Sequence, residues 1–121
     1  MRQDSEALKI RTKDFALRVL RLYRSLPRTE EARILGTRLL RCSPSIGANY
    51  RSACRGRSRA EFIAKLGIVL EKADETVFWL ELFQDGEIFP AEKLHDLLRE
   101  ANELVAIFVS SARTARENCR G

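Results

Sequence analysis

The chain has 121 residues, 45% of them apolar and 32% charged, which fits one hydrophobic core and lies well away from disordered composition. Its longest apolar run, Leu104-Val105-Ala106-Ile107-Phe108-Val109, falls far short of the roughly 18–20 residues that cross a bilayer, so no membrane role is expected. The net charge of +5 is unevenly distributed: residues 1–59 hold 15 Lys/Arg against 5 Asp/Glu, and residues 60–121 hold 7 against 12, giving halves of +10 and −5.

Four segments carry helical periodicity within a single domain, 1–121. The first is predicted over 11–26, where Phe15, Val19, Leu22 and Leu26 recur at steps of four, three and four along one face. Tyr23 and Ala16 widen that stripe, Arg11, Arg18, Arg21, Arg24 and Arg28 lie off it, and Pro27 ends the helix. The second, 29–56, starts at Thr29 as N-cap, with Glu30 and Glu31 suiting the positive helix end. Leu35, Leu39, Cys42 and Ile46 form its stripe, which Asn49 and Ala53 continue, and Pro44 inside it predicts a kink.

The third segment, 59–85, opens on a capping box, Ser58-Arg59-Ala60-Glu61. Phe62, Leu66, Val69, Ala73, Val77 and Leu80 then fall within an arc of roughly 80° at 3.6 residues per turn, and Gly86 can close the helix. Ile68, Trp79 and Leu82 lie away from that arc, more apolar surface than a monomer needs, and are expected at a subunit interface, the alternative being a Trp79 partly buried at a bundle edge. The fourth, 90–117, begins at Pro90 and steps through Leu94, Leu98, Ala101, Val105, Phe108 and Ala112. Short connections favour antiparallel neighbours. The expected fold is therefore all-α, an antiparallel up-and-down four-helix bundle with the second helix kinked near Pro44.

Leu39-Leu40-Arg41-Cys42-Ser43-Pro44-Ser45-Ile46-Gly47-Ala48-Asn49-Tyr50-Arg51-Ser52-Ala53, then Ser58-Arg59-Ala60-Glu61-Phe62-Ile63-Ala64-Lys65-Leu66 and Glu75-Thr76-Val77-Phe78-Trp79-Leu80-Glu81-Leu82, carry a resemblance over nearly the whole chain. In this order they resemble the four-helix-bundle proteins of the 23S rRNA-intervening-sequence family, whose relatives include the accessory variability proteins of diversity-generating retroelements. The resemblance implies an antiparallel bundle assembled as a homopentameric ring. In retroelement members it implies a basic surface that associates with nucleic acid and with a reverse transcriptase.

Of the 15 cations in residues 1–59, 13 are arginine, whose planar fork suits phosphate. Arg18, Arg21 and Arg24 on the first helix and the cluster Arg51, Arg55, Arg57 and Arg59 are the candidate nucleic-acid-binding residues. Guanidinium groups so placed contact phosphate oxygens without base specificity. Only Tyr50 lies near them as an aromatic, which disfavours sequence-specific reading of a single strand. The competing expectation is a solvated face ion-paired to Glu71, Asp74, Glu75 or Glu81.

Catalytic and metal chemistry are not expected. Glu92-Lys93-Leu94-His95 has a di-iron spacing, but His95 is the only histidine and the second motif is missing. Cys42, Cys54 and Cys119 are odd in number and widely spaced, and are read as reduced packing thiols. Ser43 and Ser45 lack a base at recognisable spacing, and Asn49 is read as a structural amide near the kink. Met1-Arg2-Gln3-Asp4-Ser5-Glu6 has no apolar segment behind it, so a cytoplasmic location is expected. The sequence thus points to a non-enzymatic homo-oligomeric bundle, without metal or cofactor, that binds RNA or DNA through arginines. The alternative is a protein–protein interaction scaffold with no nucleic-acid role.

Overall fold

The computed structural model describes the backbone of residues 2–120 and the side chains of residues 5–118. Four helices follow in order: α1 (Arg2–Ser25), α2 (Glu30–Cys54), α3 (Arg59–Asp85) and α4 (Ala91–Arg120). Each packs on the next, and α1 and α4 close the ring of four along a thinner seam. The register of cross-helix pairs runs oppositely in neighbours. Thr12 meets Gly47 and Tyr23 meets Gly36 across α1–α2, while Cys42 meets Thr76 and Ser52 meets Lys65 across α2–α3. This is the antiparallel four-helix bundle that the periodicity predicts. No helix among the described residues is long and apolar enough to cross a membrane.

The stripes converge on one core. Phe15, Val19 and Leu22 from α1, Leu39, Ile46 and Tyr50 from α2, Leu66, Val69, Leu80 and Phe83 from α3, and Leu94, Leu97, Leu104 and Phe108 from α4 are buried together. Burying each such side chain contributes roughly 1.5–3 kcal/mol against leaving it in water, which is why every helix is held by its stripe and none by its propensity. Two stripes differ from their periodic reading. In α4 the fully covered positions are Leu97 and Leu104, with Leu98 and Val105 only half-buried, because the helix is turned to face α1 as well as α3. In α1 the helix starts at Arg2, nine residues before the predicted start, since Leu8 and Thr12 extend the apolar face toward the N-terminus.

The ends are set by local chemistry. Thr29 Oγ1 accepts from the Ala32 N–H at 3.2 Å and Ser58 Oγ accepts from the Glu61 N–H at 3.1 Å, the two N-caps expected. The α3 C-terminus is closed differently from expectation. Gly86 has φ −83, and the left-handed residue is Glu87 at φ 54. The Ile88 N–H reaches Phe83 O at 3.0 Å and the Glu87 N–H reaches Gln84 O at 3.1 Å, a Schellman closure shifted one residue past the glycine. Ile88 then packs on the core, which holds Glu87 in a conformation that glycine would adopt freely. Pro44 lies within an α2 that is helical from Glu30 to Cys54.

At Gly47 the absence of a side chain on α2 lets α1 approach closely. A Cβ on Gly47 would lie 2.9 Å from Thr12 Oγ1 and 3.2 Å from Thr12 Cβ. Thr12 cannot turn aside, being buried and hydrogen-bonded to Leu8 O at 2.8 Å. Gly67 in α3, by contrast, has nothing within 4 Å of its absent Cβ. Both are helix-interior glycines, where alanine is intrinsically favoured by up to about 1 kcal/mol. Urea denaturation should therefore separate them. Gly67→Ala should gain about 0.5–1 kcal/mol, whereas Gly47→Ala should lose about 1–2 kcal/mol to overpacking against Thr12.

Candidate nucleic-acid interface

The arginines of α1 and α2 lie off the core stripes, so burial of those stripes turns them to solvent. Arg51, Arg55, Arg57 and Arg59 are exposed together at the end of the bundle where α2 passes into α3. Arg21 and Arg24 are exposed on α1 toward the other end. Arg24 sits near the level of Leu35 and Gly36, so about 24 Å of α2 separates it from Arg51 at 1.5 Å per residue. The structure thus does not gather all seven candidates into one cluster. Arg18 is half-buried in the groove between α1 and α4, beside Lys93 and Asp96, at the margin of the basic face.

Three residues that sequence reasoning did not single out are also exposed on α2: Arg33 beside Arg24 at the turn, and Arg41 and Arg38 farther along, with Arg38 about 140° round the helix from Arg33. Their signal was available, since each lies off the Leu39–Cys42–Ile46 stripe. Lys13 and Arg51 further flank a shallow groove of about 220 Å³ between α1 and α2, floored by Thr12, Ala16, Pro44 and Gly47. Lys9, on the same rim, is taken up by Glu6 at 3.0 Å.

The expected competition from carboxylates is mostly not realised. Among the described residues the ion pairs are Lys9–Glu6, Arg11–Glu100, Arg11–Glu103, Lys65–Glu61 and Lys72–Glu75, and none involves the seven candidates or Arg33, Arg38 and Arg41. Of the α1 arginines with described side chains, Arg11 alone is engaged internally. Its Nε and Nη2 donate to Glu100 at 2.7 and 2.8 Å and Nη2 donates to Glu103 at 2.9 Å, clasping α1 to α4. These hydrogen bonds, Glu100 first, raise the Arg11 pKa above its ordinary value.

Tyr50 is not available for stacking. It is buried, its ring centroid is 5.4 Å from that of Phe108, and its hydroxyl lies 3.5 Å from Ser5 Oγ. On α3, Ile68 is 43% exposed, while Trp79 and Leu82 are half-buried against the bundle. Trp79 Nε1 donates to Glu75 at 3.4 Å, and its ring meets Phe78 edge-on at 5.1 Å. Phe78, 55% exposed, belongs to this apolar surface and was missed in the sequence, although it sits one turn before Leu82.

The model of the 23S rRNA-intervening sequence protein family matches residues 6–110. The chain belongs to this family. A solved structure similar to it is a protein of unknown function from the S23 ribosomal protein family of Bacteroides thetaiotaomicron VPI-5482. It shares 33% identity at a TM-score of 0.83 over 90% of this chain and 97% of that one. No curated protein matches the chain.

The other polar candidates of this family member serve its helices. Ser43 and Ser45 donate to the carbonyls of Leu39 and Arg41 at 2.7 and 2.8 Å. Asn49 Nδ2 donates to Ser45 O at 2.8 Å, in the turn that follows Pro44, whose missing N–H leaves the Leu40 carbonyl without a helical donor. His95 and Glu92 are exposed, and no group of three metal-ligating side chains occurs among the described residues. Cys119 lies outside the described side chains. Cys42 is buried at 2% exposure, and Thr76 Oγ1 donates to its sulfur at 3.2 Å. Burial raises its thiol pKa, and the Thr76 hydrogen bond offsets this only in part. A raised pKa with little access gives few thiolates at neutral pH. In a Cys119→Ser background, iodoacetamide at pH 8 should therefore alkylate Cys54 at least about tenfold faster than Cys42, read by peptide mass spectrometry, and the difference should vanish in urea.

Proposed function

We propose that the chain is a non-enzymatic, cytoplasmic, homo-oligomeric bundle that binds nucleic acid through backbone phosphates. Its binding surface is made by Arg21, Arg24, Arg51, Arg55, Arg57 and Arg59, with Arg18 at the edge and Arg33, Arg38 and Arg41 also on α2. The observation that carries the reading is that these guanidinium groups, on the +10 half of the chain, have no carboxylate partner among the described residues despite 12 acidic residues in the other half. Arg33, Arg41, Arg51 and Arg55 fall within an arc of about 80° and span about 33 Å of axis, close to one turn of a duplex, with Arg38 outside that row. With Tyr50 buried and no exposed aromatic on that row, stacking does not contribute along it, and phosphate contact is the chemistry that remains.

The family's description refers to a 23S rRNA intervening sequence, so an RNA duplex is the first probe. The retroelement relatives suggest a reverse transcriptase as a protein partner. The non-enzymatic part of the reading rests on the hydroxyls of Ser43 and Ser45 being committed to backbone carbonyls and on the burial of Cys42. Self-association is assigned to the apolar α3 surface of Ile68, Phe78, Trp79 and Leu82, and the resemblance suggests a pentamer.

Fluorescence anisotropy with 20-base-pair RNA and DNA duplexes from 50 to 200 mM salt tests the binding. Affinity should fall with a log–log slope of about −0.9 per phosphate neutralised, and combined Arg51→Ala, Arg55→Ala and Arg57→Ala should flatten that slope by about 2–3. Absence of binding at low salt, or binding indifferent to salt, would overturn the reading in favour of a protein-interaction scaffold. Oligomer size is a separate measurement. Light scattering should give several times the chain mass of 13.9 kDa, falling toward one chain on Phe78→Glu, and a wild-type monomer would refute the assembly.

A further inference from the structure

At the α1–α2 turn the basic face changes character. A groove of about 650 Å³, within the range of small-ligand sites, is lined by Tyr23, Leu26 and Pro27 together with Arg24, Arg28 and Arg33. The apolar part exists because Gly36 lies beneath it. A Cβ there would be 2.7 Å from Leu26 Cδ1 and 3.2 Å from the Tyr23 ring, so the glycine lets both side chains settle on α2. Tyr23 is half-buried, and its hydroxyl makes no hydrogen bond among the described residues. Arg24, Arg28 and Arg33 are exposed, and none is in an ion pair there. The groove lies at the start of α2, where Thr29 caps the Ala32 N–H and Glu30 and Glu31 occupy the first turn, so the three arginines and not the helix end supply its positive charge.

An aromatic face with an unused hydroxyl, apolar neighbours and three free guanidinium groups is the chemistry of a base joined to a phosphate. We propose that this groove is a nucleoside-phosphate site, in which Tyr23 stacks the base and Arg24, Arg28 and Arg33 hold the phosphate. The Glu30 carboxylate, on the same rim, is an acceptor for a ribose hydroxyl or a base amine, and it keeps phosphate toward the arginines by repulsion. The site goes beyond the backbone reading above, with which it shares Arg24 and Arg33, because it recognises a base that a row of arginines ignores. The ligand can be a free nucleotide or an unpaired nucleotide of a strand, since both present the same two groups.

Calorimetric titration of the full chain with ATP and with tripolyphosphate isolates the base. ATP should bind about five- to 150-fold more tightly, the contribution of one stacked base. Tyr23→Leu, which keeps bulk over Gly36 but removes the ring, should erase that advantage and leave tripolyphosphate binding unchanged, whereas Tyr23→Phe should retain it. Arg28→Ala should weaken both ligands. Equal affinity of the wild type for the two ligands, or an advantage that survives Tyr23→Leu in a variant with wild-type circular dichroism, would overturn the proposal.

A 5′-phosphorylated single-stranded dodecamer distinguishes the sources. Affinity reduced by Tyr23→Leu assigns the site to a strand, and unchanged affinity alongside a lost ATP advantage assigns it to a free nucleotide. Duplex binding through Arg51, Arg55 and Arg57 is measured apart from this, so failure of either reading leaves the other standing.

Discussion

Two cationic helices lie side by side in this bundle, and small residues make the contact that keeps them there. Gly47 of α2 admits Thr12 of α1, and Gly36 admits Tyr23 and Leu26, so the two backbones come close enough for their apolar stripes to reach a common core. Like charges oppose such an approach only weakly when they point outward, because exposed charges are screened over a Debye length of about 8 Å at physiological salt. Burial of Phe15, Val19, Leu22, Leu39 and Ile46 outweighs that repulsion. The basic face is a by-product of that burial: once the stripes point inward, the arginines have nowhere to go but out.

The same geometry explains why the acidic half of the chain leaves the arginines free. Each helix with its side chains is about 10–12 Å across, so outward groups on α1 and α2 are roughly 20 Å from outward carboxylates on α3 and α4, a separation at which salt screens their attraction. Only at a seam between a basic and an acidic helix can charges meet, and there Arg11 clasps Glu100 and Glu103. That pair is partly exposed, and its clearest consequence is to fix α1 against α4, where packing is thinnest. Charge separation in sequence becomes charge separation in space, because consecutive helices are neighbours in an up-and-down bundle.

Reading the molecule as a polyanion binder places two kinds of recognition on one face. The long row along α2 offers charge without aromatic surface, which suits a regular phosphate backbone. The groove at the α1–α2 turn offers both, because half-buried Tyr23 and exposed Pro27 line it beside the arginines. The α3 surface bearing Phe78 is a third, apolar kind of surface. An assembly through α3 would repeat the arginines around the symmetry axis.

Much of this was legible in the sequence, since helical periodicity and capping chemistry are local. Recurrence every three or four residues fixed the helix count and most of the core, Thr29 and Ser58 marked their helix starts, and Ile68 stood out as off-stripe apolar surface. The residues of the 23S rRNA-intervening-sequence family were also recognisable as a string. Tertiary structure decided what depends on neighbours distant in sequence. It withdrew Arg11 to Glu100 and Tyr50 to Phe108, added Phe78 to the apolar surface, and exposed Arg33, Arg38 and Arg41 on α2. It also gave Gly47 and Gly67, indistinguishable as helix-interior glycines, opposite roles. A helix wheel tells which side of its own axis a residue occupies, and only packing tells what stands opposite.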